Sequence, residues 1–527
     1  MDTKALRQKI LDLAIRGKLV PQDPNDEPAS VLLERIREQK KQMVKEGKLK
    51  AKDIKNDSVI FVGEDSLHYE KFADGSVKCI EDEIPFDLPE GWSWARLQSI
   101  TSILTDGTHK TPQYSDDGYI FLSSRNVTSG KIDWENVMYI PETLHHELYT
   151  RLAPKVGDIL LAKNGTTGVA AIVDREEVFD IYVSLALIRI VDNIVNPLYV
   201  LRAIGSSYIQ NYFNSSLKGI GVPNLHLEHI RKALIPIPPC EEQNRIISRA
   251  DMLLPFVEQI ATDETELHHL ISKTKSKILD LAIRGQLVPQ NPDDEPASVL
   301  LDRIRAEKEE LIRQGKIKRD KKESIIFKGD DNSYYEKISD GKCRSIEDEL
   351  PFELPDGWEW CNLSMIGTTN IGLTYKPTDI DPTGTMVLRS SNIVDDAIDL
   401  NDLVRVKTKI RENQYVQLND ILICARNGSK ALVGKCALID ELKEPASFGA
   451  FMAVYKTDYY KYVLHYLRSS QFRNVFDDGN STAINQLTQD MLKRALIPFP
   501  PISEQERIVN RISELLSRLR DIEKSLS

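Results

Sequence analysis

The sequence predicts an α/β protein in which two mixed α/β domains are joined by two long antiparallel coiled-coil helices. Three observations predict this architecture: the 527-residue chain repeats itself, each copy encloses a divergent insert, and a heptad pattern follows each insert. A chain of this length is expected to form several domains. Because one of the two helices is divided between the ends of the chain, we expect a pseudo-two-fold arrangement that is circularly permuted.

Three blocks of sequence recur in the same order, and we call them the frame. They are 9–33 with 277–301, 80–94 with 346–360, and 233–246 with 495–508. The first pair is identical at 22 of 25 positions. The stretches between the second and third blocks, 95–232 and 361–494, resemble each other only faintly. A repeated frame is expected to perform one task twice, whereas divergent inserts are expected to recognise two different things.

The inserts carry short strand-like runs that are broken by Gly, Asn, Asp and Thr. This pattern predicts a mixed α/β domain in each insert. The predicted strands are 119–122, 159–162, 183–190, 386–388 and 421–424.

A heptad pattern follows the first insert. Eleven positions within 246–281 are spaced alternately by four and three, and nine of them are apolar; Glu264 and Thr274 are the exceptions. The same spacing recurs in residues 508–526. The matching register favours a coiled-coil pair, and two separate amphipathic surface helices are the alternative. Pro255 is expected to kink the first helix or to mark a restart.

The second helix is shorter, and its missing part lies at the other end of the chain. The sequence KILDLAIRG ends the central helix at 277–285 and also occurs at residues 9–17. We therefore expect the C-terminal helix, followed in space by residues 1–17, to rebuild the central helix, with the two termini close together.

A basic helix is predicted after each KILDLAIRG. Residues 34–55 hold nine Lys and Arg against four acids, and residues 302–322 hold nine against five. Such helices either present a solvated face or contact phosphate groups.

Composition and motifs exclude several classes of protein. The net charge of −11 argues against coating nucleic acid by bulk charge, but it allows basic residues to be placed locally. The sequence lacks a long apolar segment and a secretory signal, so we expect a cytoplasmic protein without a membrane role. The six cysteines form no CxxC pair, which argues against disulfide scaffolds and zinc ribbons.

Catalytic motifs are also missing, so we expect neither a catalytic site nor a metal in this chain. The sequence has no Asn-Pro-Pro-Tyr type loop for flipping an adenine, and it has neither HExxH nor GxSxG. The segment GSKALVGK at 428–435 approaches a phosphate-binding loop, but it is one residue too long and Cys436 replaces the required hydroxyl.

The duplicated frame resembles one known family. PEGWSW and PDGWEW open the inserts, IPIPPCEEQNRI and IPFPPISEQERI close them, and a heptad helix follows each. This order resembles the specificity subunit of type I restriction–modification systems, over nearly the whole chain. The added segments 18–85 and 286–350 depart from the simplest family pattern.

The resemblance implies a function and a set of partners. Two target-recognition domains would each read one half of a bipartite, asymmetric double-stranded DNA site, and the helices would act as a ruler between them. The subunit would be non-catalytic and hold no cofactor. It would assemble with two modification subunits, which methylate adenine N6, and with restriction subunits that translocate and cleave DNA. S-adenosylmethionine, ATP and Mg²⁺ would belong to those partners.

The resemblance and the repeats together predict six segments. These are an N-terminal helix with a basic helix and charged linker (1–85), target-recognition domain 1 (86–239), the central coiled-coil helix (240–285), a second basic helix and linker (286–350), target-recognition domain 2 (351–501) and the C-terminal coiled-coil helix (502–527).

Candidate DNA-binding residues lie on loops that follow the predicted strands, because base edges are read by Arg, Lys, Asn, Gln, Ser or Thr on a rigid scaffold. In the first insert they are Thr108, His109, Lys110, Ser124, Arg125, Asn126, Lys163, Asn164, Thr166 and Asn224. In the second insert they are Tyr375, Lys376, Arg389, Ser390, Asn392, Arg426, Asn427, Lys430, Asn485 and Gln486.

Each candidate also has a structural alternative. The Asn-Gly pairs are equally well explained as plain turns, and Asn126 and Asn392 as structural caps. The tryptophans of the frame at 92, 94, 358 and 360 are expected to pack in the core rather than to stack on bases, because they do not differ between the copies.

Two other classes of function remain open on the sequence alone. One is a scaffold or adaptor with duplicated binding domains and no role on DNA, which would suit the acidic net charge. The other is a stand-alone nuclease or methyltransferase, against which the missing motifs argue.

Overall fold

The computed structural model describes residues 2–128, 130–191, 194–217, 223–317, 319, 324–338, 341–475 and 486–526. The chain divides into two compact units, Met1–Glu264 and Thr265–Ser527. Each unit holds one copy of the frame and one insert, and each contains both helices and sheets. The mixed α/β class with two domains is therefore confirmed.

The helices of the described residues are α1 (Thr3–Ile15), α2 (Ala29–Lys45), α3 (Glu142–Arg151), α4 (Pro197–Ile204), α5 (Ser207–Ser215), α6 (Leu227–Lys232), α7 (Cys240–Ile283), α8 (Ala297–Arg313), α9 (Leu363–Ile366), α10 (Tyr460–Arg468), α11 (Ser470–Asn474), α12 (Gln489–Arg494) and α13 (Ile502–Leu526).

The strands of the first unit are β1 (Ser58–Val62), β2 (His68–Phe72), β3 (Val77–Cys79), β4 (Ser93–Arg96), β5 (Thr101–Asp106), β6 (Tyr119–Leu122), β7 (Met138–Ile140), β8 (Ile159–Ala162), β9 (Ala170–Ile172), β10 (Phe179–Ile181), β11 (Leu185–Ile190) and β12 (Leu234–Ile237).

The strands of the second unit are β13 (Ser324–Lys328), β14 (Tyr334–Ile338), β15 (Cys343–Ser345), β16 (Glu359–Asn362), β17 (Thr368–Ile371), β18 (Ile380–Leu388), β19 (Ile393–Val394), β20 (Ala397–Ile398), β21 (Val404–Val406), β22 (Ile421–Cys424), β23 (Cys436–Leu438), β24 (Ala446–Phe448), β25 (Met452–Lys456) and β26 (Leu496–Phe499). The strands predicted at 119–122, 159–162 and 421–424 agree with β6, β8 and β22 at both ends.

The two inserts share a sheet topology although their sequences differ. Each has an antiparallel four-stranded sheet, in the order β5-β11-β8-β9 in the first unit and β17-β25-β22-β23 in the second. Each also has a three-stranded sheet with one parallel pair, β10-β6-β7 and β21-β18-β24. The central strands β8 and β22 are buried along their whole length, so each insert has its own apolar core.

The frame closes each insert with a two-stranded sheet. β12 pairs antiparallel with β4, and β26 pairs antiparallel with β16, so that the start and the end of each insert lie side by side. Trp94 on β4 and Trp360 on β16 are fully buried, and Trp92 and Trp358 are also buried. The prediction that these tryptophans pack in the core is confirmed.

The three blocks of the frame meet around one buried glutamate in each unit. In the first, the Trp92 indole Nε1 donates to Glu242 Oε2 over 2.9 Å, and Gln22 Nε2 donates to Glu242 Oε1 over 3.0 Å. Arg245 pairs with Asp26 at 2.5 Å. Blocks that are far apart in sequence recur together because their side chains bond directly to one another.

The second unit repeats this cluster with the corresponding residues. Trp358 Nε1 donates to Glu504 Oε2 over 3.0 Å, and Gln290 Nε2 donates to Glu504 Oε1 over 3.2 Å. Arg507 pairs with Asp294 at 2.6 Å. Burial raises the pKa of the Glu504 carboxyl, against the hydrogen bonds from Trp358 and Gln290.

Within each unit, a KILDLAIRG segment packs against a heptad segment. In the first, Ile10 and Leu11 of α1 share an apolar cluster with Ala250, Leu254 and Val257 of α7. In the second, the end of α7 occupies the place of α1, and α13 occupies the place of the start of α7.

The cluster of the second unit joins Ile278 and Ala282 of α7 with Ile508 and Ile512 of α13. The predicted seam face of α7 is buried or half-buried throughout. In α13 the seam position Ile522 is 44% exposed, whereas Leu515, Leu519 and Leu526 are half-buried.

The structure of α7 differs from one expectation for Pro255. The helix runs without a break from Cys240 to Ile283, with Pro255 inside it, so the expected restart is wrong. The turns on either side of Pro255 are held by the buried side chains of Leu254 and Val257. This packing stabilises the helical conformation at a position where the proline lacks a backbone donor.

Each added segment contains a three-stranded antiparallel sheet that the sequence analysis missed. We call β1-β2-β3 and β13-β14-β15 the frame sheets. In the first, Ile60 and Ile80 pack on Trp94; in the second, Ile326 and Ile346 pack on Trp360. The segments SVIFV and HYEKF are rich in β-branched and aromatic residues and are separated by a turn, which is the signal that would have predicted a hairpin.

Across the described part of the chain, no helix has the length and apolar character that a bilayer crossing requires.

Candidate nucleic-acid interface

In the first unit, several candidate residues come together at one end of the insert. Asn164, directly after β8, forms an isolated antiparallel bridge with Asn224, and Thr108, after β5, bridges Tyr182. The backbone N–H of Ser124 donates to Ser184 Oγ over 3.0 Å. Loops that are separated by 60 to 74 residues are therefore fixed beside one another by the sheet that carries them.

A buried ion pair supports this end of the sheet. The Lys163 ammonium lies 2.5 Å from Asp106 Oδ2, and both side chains are largely buried. Burial alone raises the pKa of Asp106, but the bonds and charges of Lys163 and His109 outweigh it and hold that pKa below its usual value. Lys163 therefore fixes the loop rather than projecting a free cation.

His109 projects from this ion pair. Its Nε2 lies 3.3 Å from Asp106 Oδ1, and the side chain is 72% exposed. A cavity of about 560 Å³ adjoins it, and sequence reasoning missed two of the histidines that line it. The lining includes His109, Asn164, Asn224, His226 and His229. His226 and His229 follow Asn224 at the start of α6. Two histidines three residues apart, directly after a candidate residue, are the signal that could have added them to the candidate site.

Asn126 and Asn392 are buried and hold the backbone of the same short turn in each unit. Asn126 Oδ1 accepts from Ser123 N at 2.9 Å, and its Nδ2 donates to two backbone carbonyls. Asn392 makes the corresponding bonds, accepting from Arg389 N at 2.9 Å. These amides are occupied by the backbone, so the placement favours the capping alternative for both.

In the second unit, the loops after β18 and β22 also meet. Arg426 forms an isolated antiparallel bridge with Gln486, and Asn427 Nδ2 donates to Ser390 Oγ over 3.3 Å. The Arg426 guanidinium lies over the exposed Phe451 ring, 5.5 Å from its centroid. Sequence reasoning missed Phe451, although an exposed aromatic after a buried strand is a signal for a binding loop.

The remaining candidates of the second unit are placed differently. Tyr375 is half-buried beside a cluster that contains Leu373 and Val387, and the neighbouring Lys376 is exposed. Arg389 pairs with Asp402 at 2.7 Å. Lys430 is exposed after β22, and Asn485 lies outside the described residues.

The other candidates of the first unit lie on the surface. Lys110, Arg125 and Thr166 are exposed, and Lys110 N donates to Thr108 Oγ1 over 3.3 Å. Amide, hydroxyl and guanidinium groups on loops held by a buried sheet can hydrogen-bond to base edges. Within the described ranges, no group of three or more His, Cys, Asp or Glu is placed to hold a metal ion.

Comparison with known proteins identifies the family. The type I restriction modification DNA specificity domain matches residues 89–269 and 355–527. The EcoAI specificity subunit of the type I restriction enzyme from Escherichia coli is 31% identical, over 97% of this chain and 89% of that protein. The EcoEI specificity subunit, also from Escherichia coli, is 28% identical over 97% of this chain and 88% of its own length.

A solved structure shows the same fold. It was determined for the complex assembly and conformational transition of a type I restriction–modification system, and one of its chains aligns with a TM-score of 0.53. That alignment covers 84% of this chain and 94% of the other, at 18% identity. The family model covers both inserts and the helix that follows each, and the two relatives align with 97% of the chain. The chain therefore belongs to the specificity subunits of type I restriction–modification systems, which recognise DNA and are not catalytic.

Proposed function

We propose that each insert reads one half of a bipartite, asymmetric site on double-stranded DNA. One observation carries this proposal: the same backbone bridge joins Asn164 to Asn224 in the first unit and Arg426 to Gln486 in the second. The bridge occupies the same place in both inserts, but its side chains differ. Arg suits guanine in the major groove, whereas Asn suits adenine, so the two ends would prefer different bases.

The two long helices would set the distance between the half-sites. α7 has 44 residues, which corresponds to roughly 66 Å of helix at 1.5 Å per residue. One turn of the DNA duplex is about 34–36 Å, so two readers could sit in separate grooves. We propose that α7 pairs antiparallel with α13 continued by α1, as a coiled coil in a circularly permuted, pseudo-two-fold molecule. The repeated KILDLAIRG segments support this arrangement.

The chemistry on DNA would belong to other subunits. We propose that the chain recruits two modification subunits, which methylate adenine N6 with S-adenosylmethionine, and restriction subunits that use ATP and Mg²⁺. The complex would act in the cytoplasm. The net charge of −11 opposes the approach of phosphate groups, so we expect the isolated chain to bind DNA weakly and to gain affinity with the modification subunits.

The test exchanges residues 95–232 for the insert of another family member. Co-expression with the modification subunits, followed by mapping of methylated adenines, should show one half-site changed and the other retained. A change in both half-sites, or in neither, would contradict modular reading. If no site is methylated by the wild-type complex and the complex does not shift DNA, the scaffold alternative would hold instead.

A further inference from the structure

The two frame sheets carry a matching face with an exposed phenylalanine near its centre, and the reading of DNA does not explain it. Strand alternation turns one side chain in two away from the tryptophan core. We call the resulting set the outer face. In the first unit it holds Val59, Phe61, Tyr69, Lys71, Val77 and Cys79. In the second it holds Ile325, Phe327, Tyr335, Lys337, Cys343 and Ser345.

An aromatic pair stands at the centre of each outer face. Phe61 lies opposite Tyr69, with ring centroids 5.9 Å apart and an interplanar angle of 27°. Phe327 and Tyr335 repeat this geometry at 5.9 Å and 26°. Phe61 is 41% exposed and Phe327 is 38% exposed. Large aromatics that remain exposed in both copies indicate an interaction surface.

The frame sheets hold a fixed position relative to the readers. Their inner residues pack on Trp94 and Trp360, and the strands that carry those tryptophans lead directly into the inserts. A protein docked on an outer face would therefore stand at a defined place beside one reader. Methylating each half of a bipartite site requires one methyltransferase at each half, which is this arrangement.

At the aromatic end of each outer face, the charges favour a protein over DNA. Asp65 accepts from the Tyr69 hydroxyl at 2.7 Å, and Asp331 accepts from the Tyr335 hydroxyl at the same distance. Carboxylates beside the aromatic pair repel phosphate groups. Lys71 corresponds to Lys337 in the second unit. A partner would therefore need an apolar pocket for the aromatic pair and, beside it, a carboxylate for the lysine.

We propose that the outer face of each frame sheet docks one modification subunit, so that two identical subunits use two copies of one surface. This inference rests on the proposed function, which supplies the partner. It also gives the added segments 18–85 and 286–350 a role, because a surface that serves the same partner twice has a reason to stay alike.

The experiment measures how many purified modification subunits of the same system bind the full-length chain, by native mass spectrometry and titration calorimetry. The variants are Phe61→Glu, Phe327→Glu and the pair. Each single variant should retain one modification subunit and bind the second about 30-fold more weakly, as expected for an aromatic anchor at an interface. The double variant should bind both modification subunits more weakly.

A matched control introduces two carboxylates at exposed positions outside the outer faces. Val178→Glu with Leu418→Glu alters side chains that are 45% and 56% exposed, one in each unit, and should bind two modification subunits like the wild type. Lys71→Glu with Lys337→Glu tests the charge on the same face and should also weaken both sites. Thermal unfolding of every variant should match that of the wild type.

The remaining outcomes separate this inference from the proposed function. If the Phe61→Glu, Phe327→Glu pair binds two modification subunits with unchanged affinity, the inference is overturned and the proposed function stands. If the wild type itself recruits no modification subunit, the proposed function fails, and the inference fails with it.

Discussion

The two frame sheets neutralise the same pair of carboxylates with a cation from different strands. In the first unit, Arg96 on β4 donates to Glu70 and to Glu83, in each case over 2.7 Å. Arg96 is only 12% exposed, and Glu70 is buried beside it. Lys78 on β3 adds a bond to Glu83 at 2.7 Å.

In the second unit, the residue at the place of Arg96 is Asn362. It is buried and donates to Ser324 Oγ over 3.0 Å. The cation has moved to Arg344 on β15, at the place of Lys78. There it donates to Glu336 over 2.7 Å and to Glu349, and it is 55% exposed.

This comparison separates what the frame requires from what it tolerates. Both units require a donor for the more buried carboxylate of the pair, Glu70 or Glu336, because an uncompensated buried charge is costly. They tolerate either source of that donor. The backbone of the frame can therefore stay alike while charged side chains move, and the same freedom, taken further, allows the reading loops to diverge.

The largest expected effect comes from removing the buried cation. Arg96→Ala should lower the free energy of unfolding of the first unit by about 3–5 kcal/mol, because Glu70 is left buried and unpaired. Arg344→Ala, the matched change in the second unit, should cost only about 0–1 kcal/mol, since Arg344 and Glu349 are 55% and 48% exposed and Glu336 keeps its hydrogen bond with Ser324. Hydrogen exchange of the β1–β3 and β13–β15 amides would measure each unit separately.

The arrangement of the second unit can also be transferred to the first. Arg96→Asn copies the second unit and should be destabilising alone, but Lys78→Arg added to it should restore part of the loss. Equal costs for Arg96→Ala and Arg344→Ala would show that burial does not distinguish the two sites.

A smaller effect is expected at the backbone bridges that join Arg426 to Gln486 and Asn164 to Asn224. Arg426→Ala should weaken discrimination at one base pair of the second half-site by about 1–3 kcal/mol and leave the first half-site unchanged. Asn164→Ala should do the reverse. Arg426→Lys is the matched control: it keeps the charge but loses the planar fork, so it should retain overall affinity and lose discrimination. Competition binding of the assembled complex to DNA with single substitutions would measure this.

Lowering the pH from 7 to 5 should reduce the free energy of unfolding of the second unit by about 1–2 kcal/mol more than that of the first. Burial, with a contribution from Arg468, lowers the pKa of His465 to about 4. Because this folded-state pKa lies below the unfolded value of about 6.5, the stabilisation is complete above pH 6.5 and is lost as the pH falls towards 4. In the first unit, the corresponding residue of α4 is Arg202, which pairs with Asp251.

Hydrogen exchange at pH 7 and pH 5 would test this difference. The second unit should lose about 1–2 kcal/mol that the first retains, and His465→Gln should abolish that part of the pH dependence. A variant that stays as sensitive to acid as the wild type would assign the effect to another group.

Much of the fold could be predicted because repetition reports on structure directly. The repeated Trp, Glu, Gln and Arg of the frame bond to one another, and strands such as β8 and β22 are short apolar runs between turn residues. The frame sheets were missed because the charged residues of β2 and β3 give these strands the composition of a polar loop. Lys163 could not be assigned from sequence alone, because its partner Asp106 lies on another strand.

The site was harder to predict than the fold for a physical reason. Readers must differ between the copies, so repetition says nothing about them. His226 and Phe451 reach the candidate interface only because the sheets bring distant loops together. Polar groups on loops have the same composition whether they cap a turn, as Asn126 does, or face a ligand.

The smallest expected change in stability comes from lengthening α7. This change nevertheless tests whether the two inserts are held at a set distance. Four residues inserted beside Glu264 add about 6 Å and turn the helix by a little over one revolution. The seam there is only half-buried, so a stutter can absorb the insertion and both units should keep their stability. The readers should move apart with nearly unchanged facing. Because about 6 Å corresponds to nearly two base pairs, the same half-sites should be methylated with a gap longer by one or two base pairs. Deleting four residues should shorten the gap or abolish assembly. The measurement is a map of methylated adenines in cells that carry the variant and its modification subunits. An active variant with an unchanged gap would show that α7 does not set the spacing.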